Sequence, residues 1–166
     1  MRSLLFGICL VTSACSQLPS APASLPQLPL ASGGASAVAG SDLPFKGEFS
    51  ATETVAGALH HLTGEGEATH LGRFTIAASF NVTPPPHASA TGTTTWMASN
   101  GDQLLTSTTG TAVIAFPTAT ITETHTIIGG TGRFADASGT LIVERVLNIQ
   151  SLESTATVTG NLSLGH

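Results

Sequence analysis

The sequence predicts an all-β domain, an antiparallel β-barrel of seven or eight strands, with a β-sandwich as the alternative. Residues 118–127 alternate strictly, with Thr at every even position and mainly apolar side chains at the odd positions. A glycine-rich stretch at 129–139 follows, and residues 141–149 then alternate again, so the two runs form a hairpin. No segment shows a helical period of convincing length.

The remaining strands follow from the same alternation and from the turn residues between them. The tract Pro84-Pro85-Pro86 ends one strand, because proline cannot donate to a ladder from the middle of a sheet. Asn100-Gly101-Asp102 is typical of a hairpin turn. The further predicted strands cover residues 45–52, 74–82, 91–98, 104–114 and 154–164.

Residues 67–82 allow two interpretations. His70 and Gly72 share the parity of the apolar positions in 74–82, which predicts one long strand bent at Gly72, with His70 facing the barrel interior. The alternative is a tight turn at Leu71-Gly72, which adds one strand to the barrel.

The first residues predict export. Arg2 precedes a short apolar run, as in a secretory signal peptide, and residues 1–14 are assigned to it. Val11-Thr12-Ser13-Ala14-Cys15 resembles the lipobox of bacterial lipoproteins, which implies lipidation at Cys15 and, with Ser16 following, an outer-membrane lipoprotein of the cell envelope. The alternative is ordinary cleavage after a small-residue triplet such as Ala35-Ser36-Ala37, giving a soluble exported protein.

Residues 15–42 are predicted to be a disordered tether, and residues 43–166 the barrel domain. Residues 16–41 contain no charged side chain and are rich in Pro, Ala and Ser; a pro-segment packed on the domain is the alternative. Cys9 and Cys15 are the two cysteines, so cleavage before Cys15 leaves one, which would carry lipid. An intramolecular disulfide and a cysteine nucleophile are then both excluded.

The charge pattern indicates which partners to expect. Charged residues make up 9% of the 166-residue chain, the net charge is -5, and there is no basic stripe. A nucleic-acid partner is therefore not expected. The expected contacts are a membrane, through the lipid anchor, and a small hydrophobic ligand.

Two motifs carry a family resemblance. Gly129-Gly130-Thr131-Gly132-Arg133-Phe134, followed by Ala137-Ser138-Gly139, resembles the strand–loop–strand signature of allene oxide cyclase and dirigent proteins, which have a calycin-like barrel. Ala68-Thr69-His70-Leu71-Gly72-Arg73-Phe74 is similar to a segment of bacterial proteins with this barrel. The resemblance covers roughly residues 44–164. It implies an apolar ligand inside the barrel, no metal or other cofactor, and a homotrimer. The family's catalytic residues lie outside the matched motifs, so the catalytic residues here stay unknown.

The hairpin predicts a candidate ligand-binding site. If Ile127 lies opposite Leu141, then Glu123 lies opposite Arg145 on the inner face, with His125 beside Glu123. His70 joins them if the long-strand interpretation holds. The four candidates are Glu123, His125, Arg145 and His70, and buried charges of this kind need a reason because they are costly unless paired.

Two interpretations of these four residues stay open. In one, Arg145 and Glu123 orient a polar ligand group, with His125 or His70 as acid, base or donor. In the other, the ion pair fixes the strand register or faces a trimer interface. A zinc site from His70, His125 and Glu123 lacks close ligand spacing, so no metal is expected. His60-His61, near a turn, is expected to be solvated.

Three functions are compatible with the sequence. The first, which we favour, is a membrane-tethered barrel that binds a small apolar or amphipathic molecule, with small inward residues such as Gly47, Ala68 and Ala156 leaving room for it. The second is an enzyme of the cyclase or dirigent type. The third is a structural envelope module whose barrel is filled by its own side chains. Nothing in the sequence demands an enzyme.

Overall fold

The computed structural model describes residues 42–84 and 88–165, which form a closed antiparallel β-barrel of eight strands. Each strand pairs with the next along the chain, and the last pairs with the first, as the sequence predicts. The predicted signal peptide, Cys15 and almost all of the predicted tether lie outside the described residues. The strands are β1 (Leu43–Ala56), β2 (Leu59–Ala68), β3 (Gly72–Thr83), β4 (Ser89–Ala98), β5 (Gln103–Ala115), β6 (Thr118–Gly130), β7 (Ser138–Asn148) and β8 (Glu153–Ser163).

The chain turns sharply between β2 and β3, so the prediction of one long strand over 67–82 is wrong. His70 has a φ of 64° and Gly72 a φ of 66°, a left-handed backbone that reverses the chain. The Thr69 amide donates to the Lys46 carbonyl over 2.8 Å, and a His70 ring nitrogen, Nε2, lies 3.2 Å from the Pro44 carbonyl oxygen. The turn is thereby held against the start of β1.

The β6–β7 hairpin has the predicted faces but not the predicted register. Ile127 lies opposite Gly139 rather than Leu141, a shift of two residues, so Arg145 lies opposite Ile121 and not opposite Glu123. A shift of two keeps every side chain on the same face of the sheet, whereas a shift of one would reverse them all. The inward placement of Glu123, His125 and Arg145 is therefore retained.

One end of the barrel is closed by its own side chains. A short 3₁₀ turn, Gly132–Phe134, connects β6 to β7 and places Phe134 in the interior with no exposed surface. In the same core Trp96, also fully buried, packs edge-on against Phe45 and Phe49, with ring centroids 6.5 and 5.6 Å apart. We call this the plugged end; it holds the start of β1 and the β2–β3, β4–β5 and β6–β7 connections.

The opposite end carries small inward residues and is not filled. We call it the open end; it holds the β1–β2, β3–β4, β5–β6 and β7–β8 connections. Ala119, Ile121 and Leu147 form a small apolar cluster there, separate from the main core. Across residues 42–84 and 88–165, no helix is long and apolar enough to cross a membrane.

Candidate functional site

A cavity of about 550 Å³ occupies the open half of the barrel. This volume lies in the range of small-molecule sites, about 300–1,000 Å³. Larger depressions of about 630 and 810 Å³ lie on the outside, against outward Ser, Thr and Glu side chains of the strands. The cavity of about 550 Å³, unlike these two depressions, lies inside the barrel. Its walls are mainly apolar and include Val55, Val82, Ala112, Ile121, Leu147 and Ile149.

The small residues expected to leave room for a ligand are not those that do so. Gly47, Ala68 and Ala156 do not line the cavity. A Cβ added at Gly47 would lie 2.5 Å from the Ala68 Cβ, so the glycine allows the two strands and the aromatic core to pack closely. The cavity exists because alanines such as Ala112 and Ala119 stand at the inward positions of the open end.

The bottom of the cavity is polar and is organised around Arg145 on β7. Its Nη1 donates to Glu53 Oε2 on β1 over 2.7 Å, and its Nη2 donates to Glu123 Oε1 on β6 over 3.0 Å. On β2, His60 places Nδ1 2.5 Å from the second Glu53 oxygen, Oε1. These four side chains, which we call the polar floor, all line the cavity. They come from four strands, so the floor joins one side of the barrel to the other.

A glycine opposite Glu123 makes space for the carboxylate. Gly110 on β5 is its direct partner across the ladder. A Cβ at Gly110 would lie 3.0 Å from the Glu123 Cγ, closer than most such contacts allow. The missing side chain therefore lets Glu123 lie beside Arg145 at the base of the cavity.

Behind the floor, His125 extends the network into the barrel core. Its Nε2 lies 3.3 Å from Glu123 Oε2, and its Nδ1 lies 3.1 Å from both the Thr106 and Thr108 hydroxyls. Thr108 in turn lies 3.0 Å from the Thr94 hydroxyl. A neutral ring that donates from Nε2 and accepts at Nδ1 satisfies these contacts. His125 does not line the cavity, so it positions Glu123 rather than facing a ligand.

The contacts of the network favour the charged forms of Glu123 and Arg145, although both side chains are buried. Burial by itself would raise the pKa of Glu123, but the His125 hydrogen bond and the Arg145 charge outweigh it and lower that pKa. Burial would likewise lower the pKa of Arg145, and the charge of Glu123 with the hydrogen bond to Glu53 raises it instead. Both side chains are therefore charged at neutral pH.

Two buried donors in the described part of the chain have no hydrogen-bond partner. They are Arg145 Nε and the indole nitrogen, Nε1, of Trp96. The Trp96 ring meets the His125 ring edge-on with centroids 5.5 Å apart, which places the aromatic core directly against the polar network. Arg145 thus donates once to Glu53 and once to Glu123, while its third nitrogen, Nε, has no partner.

The structure brings together three of the four predicted site residues. The prediction that Glu123 and Arg145 form an ion pair on the inner face is confirmed, although the contact is diagonal rather than directly across the ladder. His125 adjoins them. His70 does not, because it lies exposed in the β2–β3 turn at the plugged end. The trio weighed for zinc is therefore not assembled, and within residues 42–84 and 88–165 no group of His, Cys, Asp or Glu is arranged to hold a metal ion.

Sequence reasoning missed Glu53 and His60. Glu53 continues the parity of Phe45, Phe49 and Ala51 on β1, so extending that alternation by one step would have placed it inside. His60 was expected to be solvated, and that expectation is wrong: its side chain is 19% exposed and is held by Glu53. Its burial depends on the β1–β2 pairing, which brings the start of β2 alongside the end of β1.

Comparisons of the chain with protein-family models, with curated proteins and with solved structures gave no match. No family is therefore assigned to the chain. The resemblance to allene oxide cyclase and dirigent proteins stays a prediction from the two motifs.

Proposed function

We propose that this protein is an exported, membrane-anchored β-barrel lipoprotein that binds a small apolar or amphipathic ligand in the open half of its barrel. The observation that carries the proposal is the cavity of about 550 Å³, with apolar walls and a single polar cluster at its base. Such a cavity suits a molecule with an apolar body and one polar end, because the walls bury the body and the floor orients the polar end.

Exposed apolar side chains at the rim of the cavity support the proposal that the ligand is apolar. Val55 and Leu59 flank the β1–β2 turn and are 48% and 38% exposed, while Ile114 and Phe116 at the β5–β6 turn are 49% and 70% exposed. These two turns lie on opposite sides of the closed barrel, and Val55 and Ile114 line the cavity beside them. An apolar molecule entering the cavity would pass between them.

A cavity-filling variant tests ligand binding in the full-length protein. Ala112→Trp places an indole in the cavity wall, and Ala77→Trp makes the same change on the outer face of β3 as its control. A neutral hydrophobic dye, N-phenyl-1-naphthylamine, should brighten with the wild type and with Ala77→Trp, and Ala112→Trp should abolish the signal. Equal dye binding by all three proteins would contradict the proposal.

Membrane anchoring has its own test, because it depends on residues 1–41, outside the described part. Cells that express the protein are labelled with radioactive palmitate. Cys15→Ser should abolish incorporation of label, whereas Cys9→Ser, in the apolar run of the signal, should retain it. Label retained by Cys15→Ser would overturn the anchor. The first strand begins at the plugged end, so the chain enters the barrel at the end opposite the mouth.

The expected homotrimer and the allene oxide cyclase or dirigent relationship remain part of this proposal. Several large apolar side chains are exposed on the outer faces of β5 and β7, including Val113, Ile142 and Val146. In the proposed trimer these side chains contribute to the contacts between subunits. The native mass of the full-length protein, which is 16.7 kDa for one chain, distinguishes a monomer from a trimer.

A further inference from the structure

We infer that the cavity selects ligands whose polar end donates hydrogen bonds and carries no negative charge, such as a long-chain alcohol or amine, over carboxylates and phosphates. This inference rests on the proposed function, since it names the ligand class of the same site. It follows from the charge, the free hydrogen-bonding capacity and the surroundings of the polar floor.

The floor carries more negative than positive charge. Glu53 and Glu123 contribute two carboxylates, and Arg145 contributes one guanidinium held between them, which gives these three side chains a formal charge of −1. An anionic head would meet one attractive and two repulsive charges. Charge interactions are stronger in this setting than in water, because the side chains of Glu53, Glu123 and Arg145 are 3–5% exposed.

Among the described residues, no second Lys or Arg stands near enough to offset this charge. Of the basic residues in the described part of the chain, Lys46, Arg73 and Arg133 all belong to the plugged end. Arg73 and Arg133 are themselves paired, with Glu67 and Asp102. Arg145 is therefore the one Lys or Arg side chain among the described residues that lines the cavity.

The carboxylates of the floor offer free hydrogen-bond acceptors. Each of the four carboxylate oxygens of Glu53 and Glu123 takes one contact, from Arg145, His60 or His125. A carboxylate oxygen has two lone-pair directions, so each can accept once more. Arg145 Nη1 and Nη2 already donate to two of these oxygens, and the unpartnered Nε of Arg145 is buried from solvent. A hydroxyl or ammonium group would donate to the carboxylate oxygens, whereas a carboxylate would bring only further acceptors and a third negative charge.

Three probes that share a twelve-carbon tail test the inference in the full-length protein. Dodecanol, dodecylamine and dodecanoate compete with N-phenyl-1-naphthylamine at about pH 8, below their micellar concentrations, where the amine is cationic and the acid anionic. The alcohol and the amine should displace the dye at concentrations at least tenfold lower than dodecanoate. Dodecanoate binding as tightly as the other two, or more tightly, overturns the inference.

Charge variants show whether the floor causes the preference. Glu123→Gln removes one negative charge and should lower, at least threefold, the ratio between the concentrations of dodecanoate and dodecylamine that displace the dye. Glu48→Gln, on the outer face of β1, should leave this ratio unchanged. Dodecanol reports whether the variant cavity is intact, and Glu53→Gln provides the same test if Glu123→Gln does not fold. If this ratio is unchanged in a variant that still binds dodecanol, the polar floor does not cause the preference.

The outcomes separate the inference from the proposed function. If all three probes displace the dye equally in the wild type while Ala112→Trp binds none, the cavity binds ligands and only the stated preference is wrong. If no probe displaces the dye and Ala112→Trp binds dye like the wild type, the binding function fails and the preference fails with it. The wild-type ranking alone decides the preference, whatever the stability of the variants.

Discussion

Glu53 and Arg145 are 92 residues apart in the sequence and belong to strands that are not neighbours, yet Arg145 Nη1 donates to Glu53 Oε2 over 2.7 Å. Strand β8 lies between them, and its inward residues at this level are Ser154 and Ala156. Because both side chains are small, the guanidinium passes over β8 and reaches β1. The floor of the cavity therefore depends on Ser154 and Ala156, which do not line the cavity themselves.

Arg145→Met should strongly destabilise the barrel. The substitution leaves Glu53 and Glu123 buried without their cation, and breaking a buried pair in this way costs about 3 to 5 kcal/mol. Urea unfolding, followed by circular dichroism, measures the loss. Arg73→Met is the control, because the Arg73 side chain is 80% exposed and its contact with Glu67 is 4.0 Å long, so a change within about 0.5 kcal/mol is expected. Equal losses of unfolding free energy in the two variants would show that the buried Arg145 ion pairs stabilise the fold no more than the exposed Arg73 contact does.

Glu123 should make stability depend on pH in the acid range. Its pKa is lower in the folded protein than its ordinary value of 4.5, so its contribution is fully present above pH 4.5 and is lost as the pH falls through the folded pKa. The stability difference between the wild type and Glu123→Gln should therefore shrink between about pH 6 and about pH 3. Urea unfolding across this range measures it, with Glu48→Gln as the exposed control. If the stability difference between the wild type and Glu123→Gln grew on acidification, the pKa of Glu123 would not be lowered in the folded protein.

Phe134→Ala should open the plugged end and destabilise the domain by about 3 to 5 kcal/mol, the usual cost of removing a buried phenyl ring. Phe134 has no exposed surface, whereas Phe116 is 70% exposed, so Phe116→Ala is a matched control expected to change the free energy of unfolding by at most about 0.5 kcal/mol. Thermal and urea unfolding report both. A small effect of Phe134→Ala would mean that the 3₁₀ turn is not part of the cooperative core.

The two histidines that flank the ends of β2 should differ in their effect on binding. His60 lines the cavity, whereas His70 lies in the turn at the plugged end. His60→Ala should weaken dodecanol binding at least threefold, because Glu53 loses a partner and the floor is reorganised. His70→Asn, which tolerates a positive φ, should leave binding unchanged. If only His70→Asn bound dodecanol more weakly, the binding site would lie at the plugged end instead.

Much of this fold is encoded in the alternation of side chains. The strict period of two in 118–127 places Glu123 and His125 inside, and a closed barrel gives every inward side chain an interior position. The same alternation cannot fix the register, because shifts of two residues preserve both faces. The register is set by the β6–β7 connection, which contains a 3₁₀ turn that the glycine-rich sequence did not predict.

The site was harder to predict because it combines distant strands. Glu123 and Arg145 share a hairpin, so local pairing placed them together. Glu53 reaches Arg145 past β8, a contact that depends on barrel closure and not on any local pattern. His70 was misplaced for a local reason, since its left-handed backbone turns the chain where the alternation alone predicted a continued strand.

The central claim is that the open half of the barrel holds a small molecule, and native mass spectrometry tests it most directly. The full-length protein would be purified gently from its own host and compared with Ala112→Trp expressed in the same way. A retained small molecule, present on the wild type and lost from the variant, is the predicted result. A wild-type mass without any added molecule, with none recovered by organic extraction, would contradict the claim and favour a barrel that serves as a structural module.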